Sequence, residues 1–275
     1  MRVALACLAA VTLLLAVVRP AAALELQGTL AQGGLVVGRI APGAKVTLDG
    51  EPVTVDDGRG LFVVGFGRDH GPTAELAIEA PDGTRETTRL EIAARQWDIA
   101  RIDGLPPRTV TPSPGDLERI GREAALIRAA RAHDSDRTDF LGGFIWPAKG
   151  RISGRYGDQR ILNGAPRSPH LGVDVAAPVG TPVHAAAGGL VTLAERDLFY
   201  TGGTLVIDHG HGLTTIYSHL NEVGVAVGAV VAQGDPIGTV GATGRATGPH
   251  LDWRLNWFQE RLDPELVVGP MPPSP

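Results

Sequence analysis

The sequence predicts an all-β protein in which two β-domains are joined by a linker that contains one helix. Short apolar runs rich in Val, Ile and Leu recur along most of the chain, and Asp-Gly, Pro-Gly or Gly-Gly pairs separate them. Runs of this length between turn residues are typical of antiparallel strands. Helical periodicity is clear in one segment only, near the middle of the chain. We therefore expect a small β-sandwich first, then the helix, and then a second all-β domain.

Residues 1–23 have the composition of a secretory signal peptide. Arg2 supplies a positive charge, residues 3–18 are almost wholly apolar, and residues 21–23 are alanines that suit cleavage. The apolar run is shorter than the ~20 residues that span a bilayer, and Arg19 and Pro20 end it. This favours a cleaved signal over the alternative, an uncleaved membrane anchor. We expect an exported protein without a stable membrane span, periplasmic or alternatively secreted.

Charge and cysteine content exclude some kinds of partner and some sources of stability. The formal net charge is −5, which argues against nucleic-acid binding through a general basic face. The only cysteine, Cys7, lies in the signal segment, so the mature chain forms no disulfide. An exported protein without disulfides depends on its core or on a bound metal for stability.

Residues 24–104 are predicted to form the N-terminal sandwich. Asp-Gly and Pro-Gly turns separate strand-like runs at intervals of about 8 to 12 residues, a spacing typical of such folds. The runs are 35–40, 46–48, 53–55, 61–66, 76–78 and 89–92. This segment contains no recognisable catalytic set, and His70 is interpreted as a loop residue.

Residues 105–143 are predicted to be a proline-rich linker with one helix. Ser113 is the predicted N-cap, Pro114 occupies the first helical position, and Asp116 stands three residues after the cap. A narrow apolar stripe follows and should pack against a domain. Its members are Leu117, Ile120, Ala124, Ile127 and Ala130. His133 at the helix C-terminus is interpreted as a favourable charge at the dipole rather than a metal ligand.

Residues 144–268 are predicted to form the second all-β domain, followed by a disordered tail at 269–275. Its histidines and aspartates occur at short spacings that bring side chains to one face of a strand. These candidate residues are His170, Asp174, His219, His250 and Asp252. Hydrolysis by zinc needs three protein ligands, an open position for water and a nearby proton shuttle. His170, Asp174 and Asp252 can supply the ligands, and His219 and His250 the acid–base groups.

From His170 onward the chain resembles the lysostaphin-like (LytM-type) zinc metallopeptidases, which hydrolyse peptidoglycan. Four stretches carry the resemblance in the family's order: 170–183, 207–213, 217–220 and 241–251. The resemblance implies a two-layer antiparallel β fold that holds one zinc ion. It implies ligands at His170, Asp174 and position 252, and catalytic roles for His219 and His250.

Position 252 departs from the family, which has histidine there. Aspartate can bind zinc, but two aspartates and one neutral histidine cancel the charge of the metal, where the usual set leaves +1. Three outcomes stay open: an active variant site, a changed metal preference, or a site that no longer holds metal.

The main hypothesis is an exported zinc endopeptidase that cleaves peptide cross-links or stem peptides of bacterial peptidoglycan. Cell-wall or division proteins are candidate partners. Four residues are candidates for substrate contact: Arg155, Arg160, Asn163 and Tyr217. The alternative is a catalytically degenerate domain that regulates another cell-wall hydrolase. We also expect the linker to be able to cover the groove, which would make activity regulated.

Overall fold

A computed structural model describes residues 24–56 and 58–272 of the chain. The predicted signal peptide and the last three residues of the predicted tail lie outside the described residues. Within the described ranges, no helix combines the length and the apolar character needed to cross a membrane.

Two antiparallel sheets form the predicted N-terminal sandwich. One sheet has the strand order β1-β2-β5 and the other the order β4-β3-β6-β7. The strands are β1 (Glu25–Gly28), β2 (Leu35–Arg39), β3 (Lys45–Leu48), β4 (Glu51–Val53), β5 (Leu61–Gly65), β6 (Thr73–Glu79) and β7 (Arg85–Glu91). Val36 and Phe62 from one sheet share a buried core with Val46 and Leu76 from the other, so the sheets pack face to face.

A strand, a short helix and the predicted long helix follow the sandwich. These are β8 (Ile99–Ile102), α1 (Pro107–Val110) and α2 (Pro114–Arg131). The predicted capping box is confirmed: the Ser113 hydroxyl accepts from the Asp116 backbone N–H, and the Asp116 carboxylate accepts from the Ser113 N–H. The end of the apolar stripe packs as expected, because Ala130 and Ile127 contact the C-terminal domain. Leu117, at its start, is 55% exposed.

The C-terminal domain is built on a ten-stranded sheet. Its main path is β17-β14-β15-β16-β19-β12-β9, and β13, β18 and β20 attach to that path. The elements are a 3₁₀ helix (Asp139–Gly142), β9 (Arg151–Gly154), β10 (Gln159–Leu162), β11 (Ala165–Pro166), β12 (Val173–Ala176), β13 (Pro182–His184), β14 (Gly189–Leu198), β15 (Gly202–Gly210), β16 (Leu213–Val223), β17 (Val230–Val231), β18 (Pro236–Val240), β19 (His250–Trp257), β20 (Glu260–Leu262) and α3 (Glu265–Val268). Strands β12, β19 and β16, which carry most of the candidate residues, are direct neighbours.

Strand β8 pairs with the C-terminal half of the chain rather than with the sandwich. It runs parallel to β10, and β11 completes this small sheet. The sequence placed residues 99–102 in the sandwich, and the pairing differs because Ile102 and Leu105 pack on Leu162 and Val110. The linker is thereby attached to the segment that precedes His170.

Candidate metal centre and its cleft

Three side chains converge at the junction of β12 and β19. The Nε2 atom of His170 lies 3.1 Å from Oδ1 of Asp174 and 3.7 Å from Oδ1 of Asp252. All three residues are buried, with exposed fractions of 1%, 8% and 2%. One donor atom from each lies within 4.8 Å of the others. The three ligands predicted from the sequence are therefore brought together.

Strand register explains this convergence. Asp174 on β12 is the direct cross-strand partner of Asp252 on β19. Glycines leave room for both carboxylates: a Cβ on Gly154 would lie 2.4 Å from Oδ2 of Asp174, and one on Gly172 would lie 2.8 Å from Oδ1 of Asp252. Like charges directly opposite each other destabilise a sheet, so this pair requires a compensating positive charge.

The donor set fits a zinc ion. Tetrahedral zinc with ligands at about 2.0–2.2 Å separates neighbouring donor atoms by about 3.4 Å. The two distances from His170 Nε2, 3.1 and 3.7 Å, bracket that value. Among the described residues, Nε2 of His170 and Oδ1 of Asp174 are buried atoms without a hydrogen-bond partner. Buried polar atoms are normally satisfied, and a shared metal would satisfy both.

His219 and His250 lie side by side next to these three residues. Their ring centroids are 4.6 Å apart, and His250 Nε2 lies 3.8 Å from Oδ1 of Asp174. The backbone of His219 has a φ of 63°, a left-handed conformation at a register irregularity between β15 and β16. Such strain in a residue other than glycine is common at functional sites.

Backbone carbonyls orient both rings. Nδ1 of His219 lies 2.8 Å from the carbonyl of Thr243, and Nδ1 of His250 lies 2.8 Å from that of Gly248. A carbonyl only accepts, so each Nδ1 carries the proton and donates it, which leaves Nε2 as the acceptor in a neutral ring. Burial lowers the pKa of His219 to about 4, so this ring is neutral near pH 7.

Each carboxylate of the centre also has an arginine partner. Arg254 donates from Nε to Oδ1 of Asp252 at 2.9 Å and from Nη2 to Oδ2 at 2.5 Å. Arg160 donates once to Oδ2 of Asp174, at 3.2 Å. Burial acts to raise the pKa of Asp252, but Arg254 and His170 together outweigh it and hold that pKa well below its usual range. Arg254 is not among the site residues predicted from the sequence, although its spacing of two from Asp252 places both on the same strand face.

A narrow cleft leads to these histidines, and the linker forms one wall of it. The cavity has a volume of about 60 Å³. Its wall on the linker side is formed by Ile102 and Leu105. The other lining residues belong to the C-terminal domain: Arg160, Leu162, Asp174, His219, Arg245, Ala246, Thr247 and His250. We call residues 99–110 the strap. The predicted covering of the groove by the linker therefore has a structural counterpart.

Three polar side chains of the C-terminal domain hold the strap. The Asn163 amide donates to the carbonyl of Leu105 at 2.8 Å and accepts from its N–H at 3.2 Å. Arg167 donates to the carbonyl of Val110 at 2.9 Å, and Arg245 to that of Thr109 at 3.3 Å.

The four residues predicted to contact substrate have different positions. Arg160 lines the cleft, and Asn163 binds the strap. Arg155 pairs with Glu265 and does not line the cleft. The prediction for Tyr217 is contradicted, because its side chain is fully buried and its hydroxyl accepts hydrogen bonds from Thr215 and from the backbone of Ala186.

Two further histidines are buried outside the centre. His209 contacts the carbonyl of Gly188 at 2.6 Å and the hydroxyl of Thr215 at 2.8 Å. His211 packs edge-on against Phe140.

Known proteins share both the sequence of this region and its fold. The model of Peptidase family M23 matches residues 168–264, a range that contains all five candidate residues. A crystal structure of a putative peptidase M23 from Pseudomonas aeruginosa is 30% identical with a TM-score of 0.67, and the match covers 88% of this chain and 96% of that one.

Two curated relatives match part of the chain. Peptidoglycan DD-endopeptidase ShyA of Vibrio cholerae is 41% identical over 109 residues, which are 39% of this chain and 25% of the relative. Cell division protein DipM of Caulobacter vibrioides is 30% identical over 161 residues, 58% of this chain and 25% of the relative. The chain thus spans about a quarter of the length of each relative.

Proposed function

The chain belongs to peptidase family M23, as the resemblance predicted, and we propose that it is an exported zinc endopeptidase that hydrolyses peptide cross-links or stem peptides of bacterial peptidoglycan. The observation that carries the proposal is the convergence of His170, Asp174 and Asp252 beside His219 and His250. A relative named as a peptidoglycan DD-endopeptidase, 41% identical, supports the substrate class. The signal-like residues 1–23 support export, with the periplasm as the proposed location and secretion as the alternative.

His170, Asp174 and Asp252 would hold one zinc ion. When bound, zinc supplies a Lewis acid that polarises the scissile carbonyl and acidifies water. The burial of the three residues excludes bulk solvent, which strengthens every electrostatic interaction with the reacting atoms.

His219 and His250 would move protons and stabilise charge. Because each Nδ1–H is held by a carbonyl, each Nε2 is available to accept a proton from the attacking water. Once protonated, the same nitrogen can donate to the developing oxyanion or to the leaving amine. The pKa of about 4 for His219 keeps it in the accepting form before reaction.

The strap must move before a polymer can reach these residues. His170 and His219 are at most 5% exposed, and the cavity of about 60 Å³ is too small for a peptide. We infer that the described arrangement is closed. Cell-wall or division proteins that displace the strap are proposed partners.

A second candidate function is regulation of another cell-wall hydrolase by a domain without activity. Two observations favour it: Arg254 binds both oxygens of Asp252, and the strap covers the cleft. The similarity to a protein named as a cell division protein is compatible with this role.

Metal analysis together with digestion of purified sacculi tests the proposal. The mature protein, Asp252→Ala and His219→Ala are compared. We expect close to one zinc per chain in the mature protein and in His219→Ala, and much less in Asp252→Ala. Of the three, only the mature protein should release muropeptides, at the low rate that transient opening of the strap allows. Absence of zinc in the mature protein, together with zinc binding and hydrolysis by Asp252→His, would refute the enzyme proposal and favour regulation.

A further inference from the structure

Arg254 and Asp252 form a bidentate ion pair on one face of β19. Residues two apart on a strand point to the same side, so the pair needs no backbone distortion. Nε and Nη2 of Arg254 each bind a different oxygen of Asp252, the bidentate geometry that fixes the orientation of a carboxylate most strongly. The Asp252 side chain is 2% exposed and that of Arg254 is 22% exposed, so solvent screens the pair only partly.

Gly172 makes room for this pair. A Cβ at position 172 would lie 2.6 Å from Cγ of Arg254 and 2.8 Å from Oδ1 of Asp252. Gly172 stands between the ligands His170 and Asp174, so the segment that supplies two ligands also accommodates the ion pair of the third.

We propose that Arg254 is a positioning residue that lets Asp252 act as the third zinc ligand in place of a histidine. Arg254 offsets the one extra negative charge that aspartate brings relative to a neutral imidazole. It also fixes the carboxylate with Oδ1 facing His170. An ionised oxygen has two lone-pair sites, so Oδ1 accepts from Nε and keeps the other site for the metal. This inference rests on the proposed zinc centre.

The opposite role for Arg254 predicts the opposite sign of effect. If the guanidinium replaced the metal as the compensating charge, removing it would free Asp252 and improve zinc binding. If it positions Asp252, removing it leaves a mobile carboxylate opposite Asp174 and weakens zinc binding.

The test is a double-mutant cycle on zinc affinity in the full mature chain. Arg254→Met removes the charge and keeps most of the apolar stem. It is measured alone and together with Asp252→His, by competition with a chromogenic zinc chelator. We expect Arg254→Met to weaken zinc binding about 10- to 100-fold when Asp252 is present, the usual effect of losing a partner of a metal ligand. With Asp252→His the effect should reverse, because a guanidinium beside a neutral ligand only repels the metal.

Two further variants make the cycle specific. Arg160→Met is the matched control: it removes a positive charge that binds Asp174, so its effect should have the same sign with Asp252 and with Asp252→His. Arg254→Lys keeps the positive charge but lacks the two parallel N–H donors of the guanidinium, and we expect a zinc affinity between those of the unmodified protein and Arg254→Met. Should Arg254→Met fail to fold, the comparison of Arg254→Lys with and without Asp252→His still gives the sign.

The outcomes separate this inference from the function on which it rests. If the mature protein binds zinc and Arg254→Met binds it equally well or better, the positioning role is refuted and the zinc centre stands. The positioning role is also refuted if Arg254→Met changes the zinc affinity in the same direction in the Asp252 protein and in Asp252→His. If the mature protein binds no zinc at all, the proposed function and the inference fail together.

Discussion

Replacing Asn163 by glycine should open the strap without unfolding the protein. The Asn163 amide makes two hydrogen bonds to the backbone of Leu105, at 2.8 and 3.2 Å. The residue has a φ of 47°, a conformation that glycine adopts freely, so Asn163→Gly removes the amide without adding backbone strain. Asn163→Ala would lose the same bonds and add strain of about 1 kcal/mol, which would confuse the result.

The size of the effect follows from the two lost bonds. A net contribution of about 0.5–1.5 kcal/mol each, taken in the lower half because Asn163 is exposed, gives about 1–2 kcal/mol. That shifts the closed–open equilibrium of the strap by roughly 5- to 30-fold, since 1.4 kcal/mol corresponds to about tenfold. The pairing of β8 with β10 and the bonds from Arg167 and Arg245 to the strap remain, so opening increases but is not complete.

Hydrogen exchange of the β8 amides measures the opening directly. Protection there should fall by the same factor in Asn163→Gly, while β15 stays protected and the free energy of unfolding falls by about 1–2 kcal/mol, the contribution of the two lost bonds. The rate of zinc loss to a chelator and the hydrolysis of sacculi should both rise. Unchanged β8 protection would show that Asn163 does not hold the strap. Increased β8 exchange with unchanged zinc loss and hydrolysis would show that the strap does not control access.

Three other changes test separate parts of the structure. Gly172→Ala should displace Asp252 and Arg254 and so weaken zinc binding about tenfold, as measured by competition with a chelator. A zinc affinity equal to that of the unmodified protein would contradict the contacts described. Chelation of zinc should lower the thermal midpoint because Asp174 and Asp252 then face each other uncompensated by a metal, and a midpoint independent of zinc would argue against the centre. Burial lowers the pKa of His209, so below about pH 6.5 the unfolded chain binds a proton that the folded chain does not. The free energy of unfolding should therefore decrease as the pH is lowered below that value, by up to about 1.4 kcal/mol per pH unit. Urea unfolding between pH 7 and 5 gives the unfolding free energy as a function of pH. This free energy should change less with pH in His209→Gln than in the unmodified protein, and an equal pH dependence in the two would exclude this contribution.

Local patterns in the sequence predicted much of the fold. The capping box at Ser113 and Asp116 was readable because both partners lie within one helical turn. Strands between Asp-Gly turns were readable for the same reason. The partner of β8 was not, because pairing with β10 depends on contacts between residues about 60 positions apart, such as Ile102 with Leu162. Non-local pairing leaves no periodic signal in either segment.

In the candidate site, too, local motifs were predictable from the sequence and non-local contacts were not. Motif spacing predicted His170, Asp174 and Asp252 as one group, and the register of β12 and β19 brings them together. The prediction of substrate contact for Tyr217 was wrong for a local reason. Tyr217 lies two residues before His219, and regular strand alternation would put both on one face, but the left-handed backbone of His219 breaks the alternation and Tyr217 points to the core. Arg254 was missed because its role depends on a side-chain conformation and on the space left by Gly172, neither of which composition reveals.

Holding a metal and admitting a substrate are separate properties of this chain. Arg254 bears on the first, because it sets the charge and orientation of Asp252. The strap bears on the second, because Leu105 walls the cleft that leads to His219 and His250. Failure of the mature protein to digest sacculi therefore does not by itself indicate a degenerate site. If zinc binds and Asn163→Gly gains activity, the chain is a closed enzyme, whereas loss of zinc binding in every variant that retains Asp252 leaves regulation as the function that fits.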